Sequence, residues 1–439
     1  MKTYDIIGIG IGPFNLGLAA LLQPVNKLNA VFFDQAPGFD WHPGLMLSNA
    51  TLQVPFMADL VTMADPTSAY SFLNYMKESG KLYRFYIRED FFMLRKEYNA
   101  YCKWVAEQLS SLRFSHKVIA VEYNEGVYGV TVENLLTGKT TLYHAHKLVL
   151  GTGTQPHLPE FVQKGIFPKV IHTSEYLSYK PSIGSHASVS IIGSGQSAAE
   201  IFNDLLPLAA DGLQLNWFTR PDRFFPLEYS KLTLELTSPE YVDYFHSMPA
   251  ERRKQLLSKQ NPLFKGINYD LINQIFDTLY EMNVDEDVTN IQLRPNVQLD
   301  NISAKTDGNY TLQLRQLQQE VSFTCDTDFV ILATGYKYKE PAFIKGISER
   351  IRRTDDELYD VQRNYTIDIN SDEIFVQNAE LHTHGFVTPD LGMGAYRNSC
   401  IINTIAGEEI YKIEKRIAFQ QFGVSEEELA VMPYDKAYL

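Results

Sequence analysis

The stretch "YDIIGIGIGPFNLGLAALL" runs from Tyr4 to Leu22. A short apolar run ends at Gly8, and the spacing predicts a helix through Leu16, Leu18 and Ala19. Between them Gly8 and Gly10 fill the first two positions of G-x-G-x-x-G, and Pro13 fills the third. Proline costs little at a first helical position, because the N–H there is unpaired in any helix. This pattern suits a bound pyrophosphate. Gly8 permits a tight turn, Gly10 permits close backbone approach, and the helix start offers free N–H groups at its positive dipole end. The next strand, "AVFFD", ends at Asp34, where an acidic residue reaches a ribose hydroxyl. Together these features predict a dinucleotide-binding unit. A Gly-rich turn in an unrelated α/β unit is the plainer alternative.

A second start follows in "ASVSIIGSGQSAAEIFNDLL", residues 187–206, with Gly193, Gly195 and Ala198 at the motif positions. Its next strand, "LQLNWFTRPDR", ends without an acid and instead brings Arg220 and then Arg223. A cation at that point favours the 2′-phosphate of NADPH over NADH. Solvated surface arginines are the alternative. "KLVLGTGTQPHLP" (147–159) and "DFVILATGYKY" (328–338) each read as a strand running into a glycine turn. They resemble the crossings between the FAD and NAD(P) domains of flavin-dependent oxidoreductases. The expected fold class is α/β with two Rossmann-like dinucleotide-binding domains. The FAD domain is discontinuous, 1–165 and 325–439. The NADPH domain is 166–324, with a helical substrate-closing insert at about 225–288. The stretch from Asn398 to Phe422 is also expected to be helical.

A chain of 439 residues suggests two or three domains. Apolar content of 45% and charged content of 21% are ordinary for a globular protein. No run of 18 apolar residues is present, and "MKTYDIIGIG" reads as an immediate strand with no signal-peptide pattern. Three scattered cysteines, Cys102, Cys325 and Cys400, suit a reducing cytoplasm and give no disulfide or zinc pattern. The net charge of −14 disfavours nucleic acid and anionic membranes as partners and mildly favours cationic small molecules. "HTH" at His382–His384 lacks the spacing of one helical face and a nearby carboxylate, so no metal is expected. No redox CxxC is present, and "FPKVIHTSEY" lacks the Gly and Trp of the Baeyer–Villiger fingerprint.

Taken together, "GIGPFNLGLA", "FFDQAPGFDWHPGLML", "LQVPFMADLVTMADPTSAYSFLNY", "GSGQSAAEIF", "LATGY" and "HTHGFVTPDLGMGAYRNS" resemble the microbial N-hydroxylating flavin monooxygenases, over nearly the whole chain. That family comprises lysine, ornithine and diamine N-hydroxylases of siderophore biosynthesis. The resemblance implies FAD and NADPH as cofactors and a primary amine and O2 as substrates. It implies oxygen transfer to a neutral amine through a flavin C4a-hydroperoxide, and a dimer or tetramer. Gly8, Gly10, Pro13 and Asp34 correspond to its FAD-binding start. Trp41 and His42 match a Trp-His pair in the flavin loop, and Gln53 a glutamine beside the isoalloxazine. Gly193, Gly195, Gln196, Ser197 and Arg220 match NADPH-binding positions. Leu391, Gly392 and Met393 match a turn over the flavin, and Asn268 resembles an asparagine near nicotinamide and substrate.

The chain departs from the amino-acid hydroxylases at the substrate end. They carry a lysine for the substrate carboxylate where this chain has Ala58, and an asparagine where it has Leu234. Burying a carboxylate without a cation costs several kcal/mol. Asp390 stands where those enzymes tend to have an uncharged residue, and is placed to hold the far ammonium of a diamine; a solvent-facing turn cap is the alternative. The expected substrate is therefore a carboxylate-free amine: putrescine or cadaverine first, histamine next. Lysine or ornithine is the runner-up. An FAD/NADPH oxidase or redox sensor without hydroxylation is the alternative from another class.

Overall fold

The computed structural model describes residues 2–162, 167–424 and 426–429. Two sheets organise it. In the first, Leu112–Arg113, Ala30–Phe33, Thr3–Ile9 and Thr140–Leu150 lie side by side, with Val127–Asn134 and His116–Asn124 continuing the order. The pairings from Leu112–Arg113 through to Thr140–Leu150 are parallel. The long strand Thr140–Leu150 divides its work. Residues 140–145 turn antiparallel against Val127–Asn134, while Leu148–Leu150 pair in parallel with Ile374–Val376 from the far end of the chain. The first sheet is thus built from both ends of the sequence. Its helix Pro13–Leu22 is buried from Asn15 to Leu22 and packs on the helix Gly394–Ala406.

The second sheet is wholly parallel, in the order Ile291–Arg294, Gln214–Phe218, Ser188–Ile192, Phe329–Leu332, Val170–His172. Its central strands read "SVSII" and "FVIL" and are buried at every residue but Ser188, as strands covered on both faces require. Helix Gln196–Ala210 covers one face through Ile201, Phe202 and Leu205. The antiparallel sheet Val297–Ala304, Tyr310–Gln316, Val321–Thr327 supplies Ile302, Leu312 and Leu314 to the other.

The chain passes between the sheets at Thr154–Pro156 and Tyr336–Tyr338, which pair antiparallel. Gly153 (φ 69°) and Gly335 (φ 76°) make the turns into these segments in the left-handed region that favours glycine. The expected break at residues 165–166 lies outside the described residues. The break expected at residue 325 falls too early: Phe329–Leu332 lies inside the second sheet, and the return crossing comes at Tyr336.

The insert carries the expected helices. Ser238 Oγ accepts from Tyr241 N at 3.2 Å to start Pro239–Ser247, and Asn268 Oδ1 accepts from Asp270 N and Leu271 N to start Tyr269–Met282. It is not one unit. Leu271, Ile272 and Ile275 pack in the second sheet's core, whereas Tyr241, Val242 and Phe245 join Phe386, Val387 and Met393 of the C-terminal region. The helix expected over Asn398–Phe422 is Gly394–Ala406. It stops at Gly407, whose φ of 68° makes it a left-handed cap, and no regular element follows through Val424.

Candidate functional site

Three glycines share the first turn, each for a different reason. A Cβ at Gly8 would lie 2.1 Å from the Phe32 ring, so Gly8 lets two strands approach. Gly10 has φ 90°, and a Cβ there would lie 2.3 Å from the Gly151 carbonyl oxygen. Gly12 caps helix Pro13–Leu22 with no side-chain bond, and a Cβ there would meet nothing within 4 Å. The open approach to the helix start is therefore at Gly12, with Pro13 as the first helical residue. Asp34 does not hang free at its strand end: Oδ2 accepts from Ile11 N at 2.6 Å and Oδ1 from Ala36 N at 2.7 Å. A ribose hydroxyl would have to share oxygens already bonded to this turn. Asn15, which sequence reasoning passed over, closes the knot. Its amide donates to Gly10 O at 2.7 Å and accepts from Gln377 Nε2 at 2.6 Å.

Trp41 and His42 stack edge to face at 4.7 Å, Trp41 leans on Tyr98, and His42 faces Tyr336 at 5.8 Å. His42 has φ 49°. Burial, reinforced by the Arg95 charge, pushes its pKa down to about 4, so it is neutral at physiological pH. Two residues on, Gly44 passes so close to Ser174 O that any Cβ would sit 1.6 Å away. This loop of the first unit is thereby pinned against the second.

The second turn has the same architecture. Gly193 (φ 151°) packs against Ala333, where a Cβ would lie 2.2 Å from the carbonyl oxygen, and Gly195 caps Gln196–Ala210. Ser197 is the second residue of that helix. Arg220 is exposed just past strand Gln214–Phe218, and its charge, after burial, helps to lower the pKa of Lys265. Among the described residues neither cation has a carboxylate partner, which suits a site for an added phosphate.

Gln196 joins the two halves. Its Oε1 accepts from Gln53 Nε2 at 3.3 Å and from Asn268 N at 2.8 Å, and its Nε2 donates to Glu200 Oε1 at 2.9 Å. Glu200 is held by both guanidinium nitrogens of Arg95, at 2.7 and 2.9 Å. Gln53, Gln196 and Asn268, predicted separately from sequence, are thus one cluster. Asn268 enters it through its backbone N–H, while its side-chain Oδ1 is occupied as a helix cap. Arg95 and Glu200 carried no sequence signal, since their pairing is visible only once the sheets meet.

The irregular loop after Leu52 is organised around a carboxylate. Asp59 accepts from Val61 N, Thr62 N, Thr62 Oγ1 and Phe72 N, all between 2.6 and 2.9 Å. These bonds present Ala58 to the turn Leu391–Met393. A Cβ at Gly392 would lie 3.7 Å from the Ala58 methyl and 3.1 Å from Asp390 Oδ1. Asp390 Oδ1 also caps that turn, accepting from Gly392 N at 2.7 Å. Its Oδ2 has no partner among the described residues. Burial pushes the Asp390 carboxyl up, against the pull of Gly392 N–H and Arg397. Arg397 itself is committed to Glu380 at 2.9 Å. Leu234 is exposed at the end of its short helix Lys231–Leu234; the insert residue that feels the Asp390 charge is Tyr229, seated edge-on to Phe92 at 6.0 Å. His384 is buried against Tyr365, and His382 bonds Tyr359 O at 2.7 Å.

The chain matches the L-lysine 6-monooxygenase/L-ornithine 5-monooxygenase family over residues 2–338. It is 51% identical to a putrescine N-hydroxylase of Shewanella oneidensis, over 95% of this chain and 84% of that protein. It is 32% identical to an L-lysine N6-monooxygenase of Escherichia coli, over 96% and 99%. Among solved structures it superimposes on FAD-bound DfoA, described as the cadaverine monooxygenase of the desferrioxamine pathway of Erwinia amylovora. The TM-score is 0.94 at 52% identity, covering 97% of this chain and 100% of that one. The α/β fold and the cofactor pair expected from the sequence hold. No helix among the described residues is long and apolar enough to cross a membrane. With a glycine turn opening a helix in each sheet and a family match over residues 2–338, the chain belongs to the N-hydroxylating flavin monooxygenases of the lysine/ornithine type, which use FAD and NADPH.

Proposed function

We propose that this enzyme N-hydroxylates a diamine without a carboxylate, putrescine or cadaverine, and supplies the hydroxylamine for siderophore assembly. The single observation that carries this reading is the pair Ala58 and Asp390 beside one glycine: an anion stands where an amino-acid substrate would need a cation. A carboxylate placed there would meet repulsion and no counter-charge, whereas an ammonium would meet the free Oδ2 of Asp390. The relatives named for putrescine and cadaverine support the same class.

Gly8, Gly10, Gly12 and Pro13 would hold the FAD pyrophosphate, with Trp41 and His42 in the flavin loop. Gly193, Gly195, Gln196, Ser197 and Arg220 would hold NADPH. Leu391–Met393 would close the amine site, with Tyr229 facing Asp390. Flavin, once reduced by NADPH, supplies the activated oxygen. This chain's part is to exclude water, hold the amine and favour its neutral form. A free alkylamine titrates at about 10.4, and desolvation lowers that value. Asp390 holds the far ammonium, so only the near amine is deprotonated at the reacting end.

Exposed Tyr83, Tyr86 and Ile87 on helix Leu82–Arg88, and Tyr269, Phe276 and Tyr280 on helix Tyr269–Met282, support a homo-oligomer. Free thiols support a cytoplasmic setting. The test is an amine panel of putrescine, cadaverine, histamine, lysine and ornithine, with NADPH consumption and hydroxylamine both measured. Peroxide with no hydroxylamine from any amine would leave an oxidase.

A further inference from the structure

The glutamine cluster has a polarity that chemistry alone imposes. Both Glu200 oxygens accept from Arg95 in a bidentate ion pair, so Glu200 has only an acceptor to offer Gln196. Gln196 must therefore turn its NH2 group to Glu200, at 2.9 Å. Its oxygen is then left for the backbone N–H of Asn268, which can only donate, and the two constraints agree. The same oxygen faces Gln53 at 3.3 Å, so Gln53 must present its NH2 group there. What remains free on Gln53 is its carbonyl oxygen, which has no partner among the described residues.

We propose that Glu200 is a positioning residue: acting through Gln196, it turns the carbonyl oxygen of Gln53, and not its NH2 group, toward the reacting amine. The consequence is chemical. A carbonyl oxygen accepts from an amine N–H and leaves the nitrogen lone pair free for attack. An NH2 group in its place would donate to that lone pair and block it. Two amide rotations separate these states, and the ion pair between the two halves of the molecule, acting with the Asn268 N–H, holds the first of them. The inference rests on the resemblance's reading of Gln53 as the residue beside the isoalloxazine, with the amine of the proposed function reacting there.

The test uses FAD-loaded Glu200→Gln, Glu200→Asp, Gln196→Ala and the Glu200→Gln/Gln196→Ala double variant. Hydroxylamine formed per NADPH consumed is measured for each. Glu200→Asp keeps a charge for Arg95 while withdrawing from Gln196, so it serves if the glutamine variant folds poorly. The expected result is about a tenfold fall in hydroxylamine per NADPH for either Glu200 variant, with FAD content retained. In the Gln196→Ala background, Glu200→Gln adds nothing further, because the relay is already cut. Multiplying losses in the double variant, or losses that vanish when normalised to bound FAD, would overturn the proposal. Crystals of the Glu200→Gln holoenzyme give a reading independent of turnover and of the amine assignment. Gln196 is expected to leave Gln53 or Asn268 N; both contacts retained at full occupancy would contradict it.

Discussion

Ala58 and Asp390, far apart in sequence, meet over Gly392: a side chain there would touch the methyl of one and the carboxylate of the other. The loop carrying Ala58 is fixed by four bonds to Asp59, and Asp390 is fixed as the cap of its own turn. The anion is therefore presented by rigid backbone on both sides.

Asp390→Asn should raise the KM for putrescine or cadaverine roughly 10- to 100-fold, the equivalent of losing a charged hydrogen bond worth about 1.5–3 kcal/mol. Because burial raises the Asp390 pKa, diamine KM in the native enzyme should climb as pH falls through that raised value; the asparagine variant should lack this component. Ala58→Lys would place an ammonium against Asp390 and should lower diamine kcat/KM at least about tenfold. An unchanged diamine KM in Asp390→Asn would remove Asp390 from the site.

Gly10 and Gly12 should part company. Alanine at Gly10 meets both φ 90° and the Gly151 carbonyl, and should prevent soluble expression or cost more than about 3 kcal/mol. Alanine at Gly12 meets no protein atom, so the variant should fold and lose FAD affinity by at least about tenfold. Equal FAD retention by native enzyme and Gly12→Ala, measured by titration of apoprotein, would place the pyrophosphate elsewhere.

Arg95 and Glu200 are 12% and 5% exposed. Removing one partner leaves a buried charge, so Arg95→Ala should destabilise the fold by about 3–5 kcal/mol in denaturant unfolding. A change within experimental error would mean that the two halves are held mainly by other contacts, such as Gly44 on Ser174.

His42 is neutral in the fold down to about pH 4, whereas an unfolded histidine charges near 6.5. Between these values the unfolded chain binds the extra proton, so stability rises with pH there and is fully present above about 6.5. The contribution is at most about 3 kcal/mol. His42→Asn tolerates the left-handed backbone and should flatten that slope of unfolding free energy against pH. An identical slope would show that His42 does not titrate as its burial requires.

Much of this was legible before the fold was known. Gly8, Gly10, Gly193 and Gly195 announce themselves because strand, turn and helix are local in sequence. The apolar spacing of Tyr269–Met282 announces its helix for the same reason, whereas the capping role of Asn268 does not show in the sequence reading. Most of the failures are non-local; the stop at Gly407 is the local exception. Phe329–Leu332 belongs to the second sheet because of its partner Ser188–Ile192, which no local pattern specifies. The last helix ends at Gly407, although apolar spacing continues beyond it. Asp34 holds its own turn through backbone N–H groups that sequence does not display. Arg95 and Glu200 look like surface charges on two amphipathic helices until the halves dock. Ala58 was informative for the opposite reason: its meaning came from what is missing, and the structure adds Asp390 beside it.

The most direct test compares cadaverine with lysine, and putrescine with ornithine, as matched pairs that differ only by a carboxylate. The measurement is kcat/KM for hydroxylamine formation at fixed NADPH and oxygen. The account predicts that each diamine exceeds its amino acid by at least about 100-fold, and that Asp390→Asn narrows the ratio. Equal or greater kcat/KM with lysine or ornithine would contradict it.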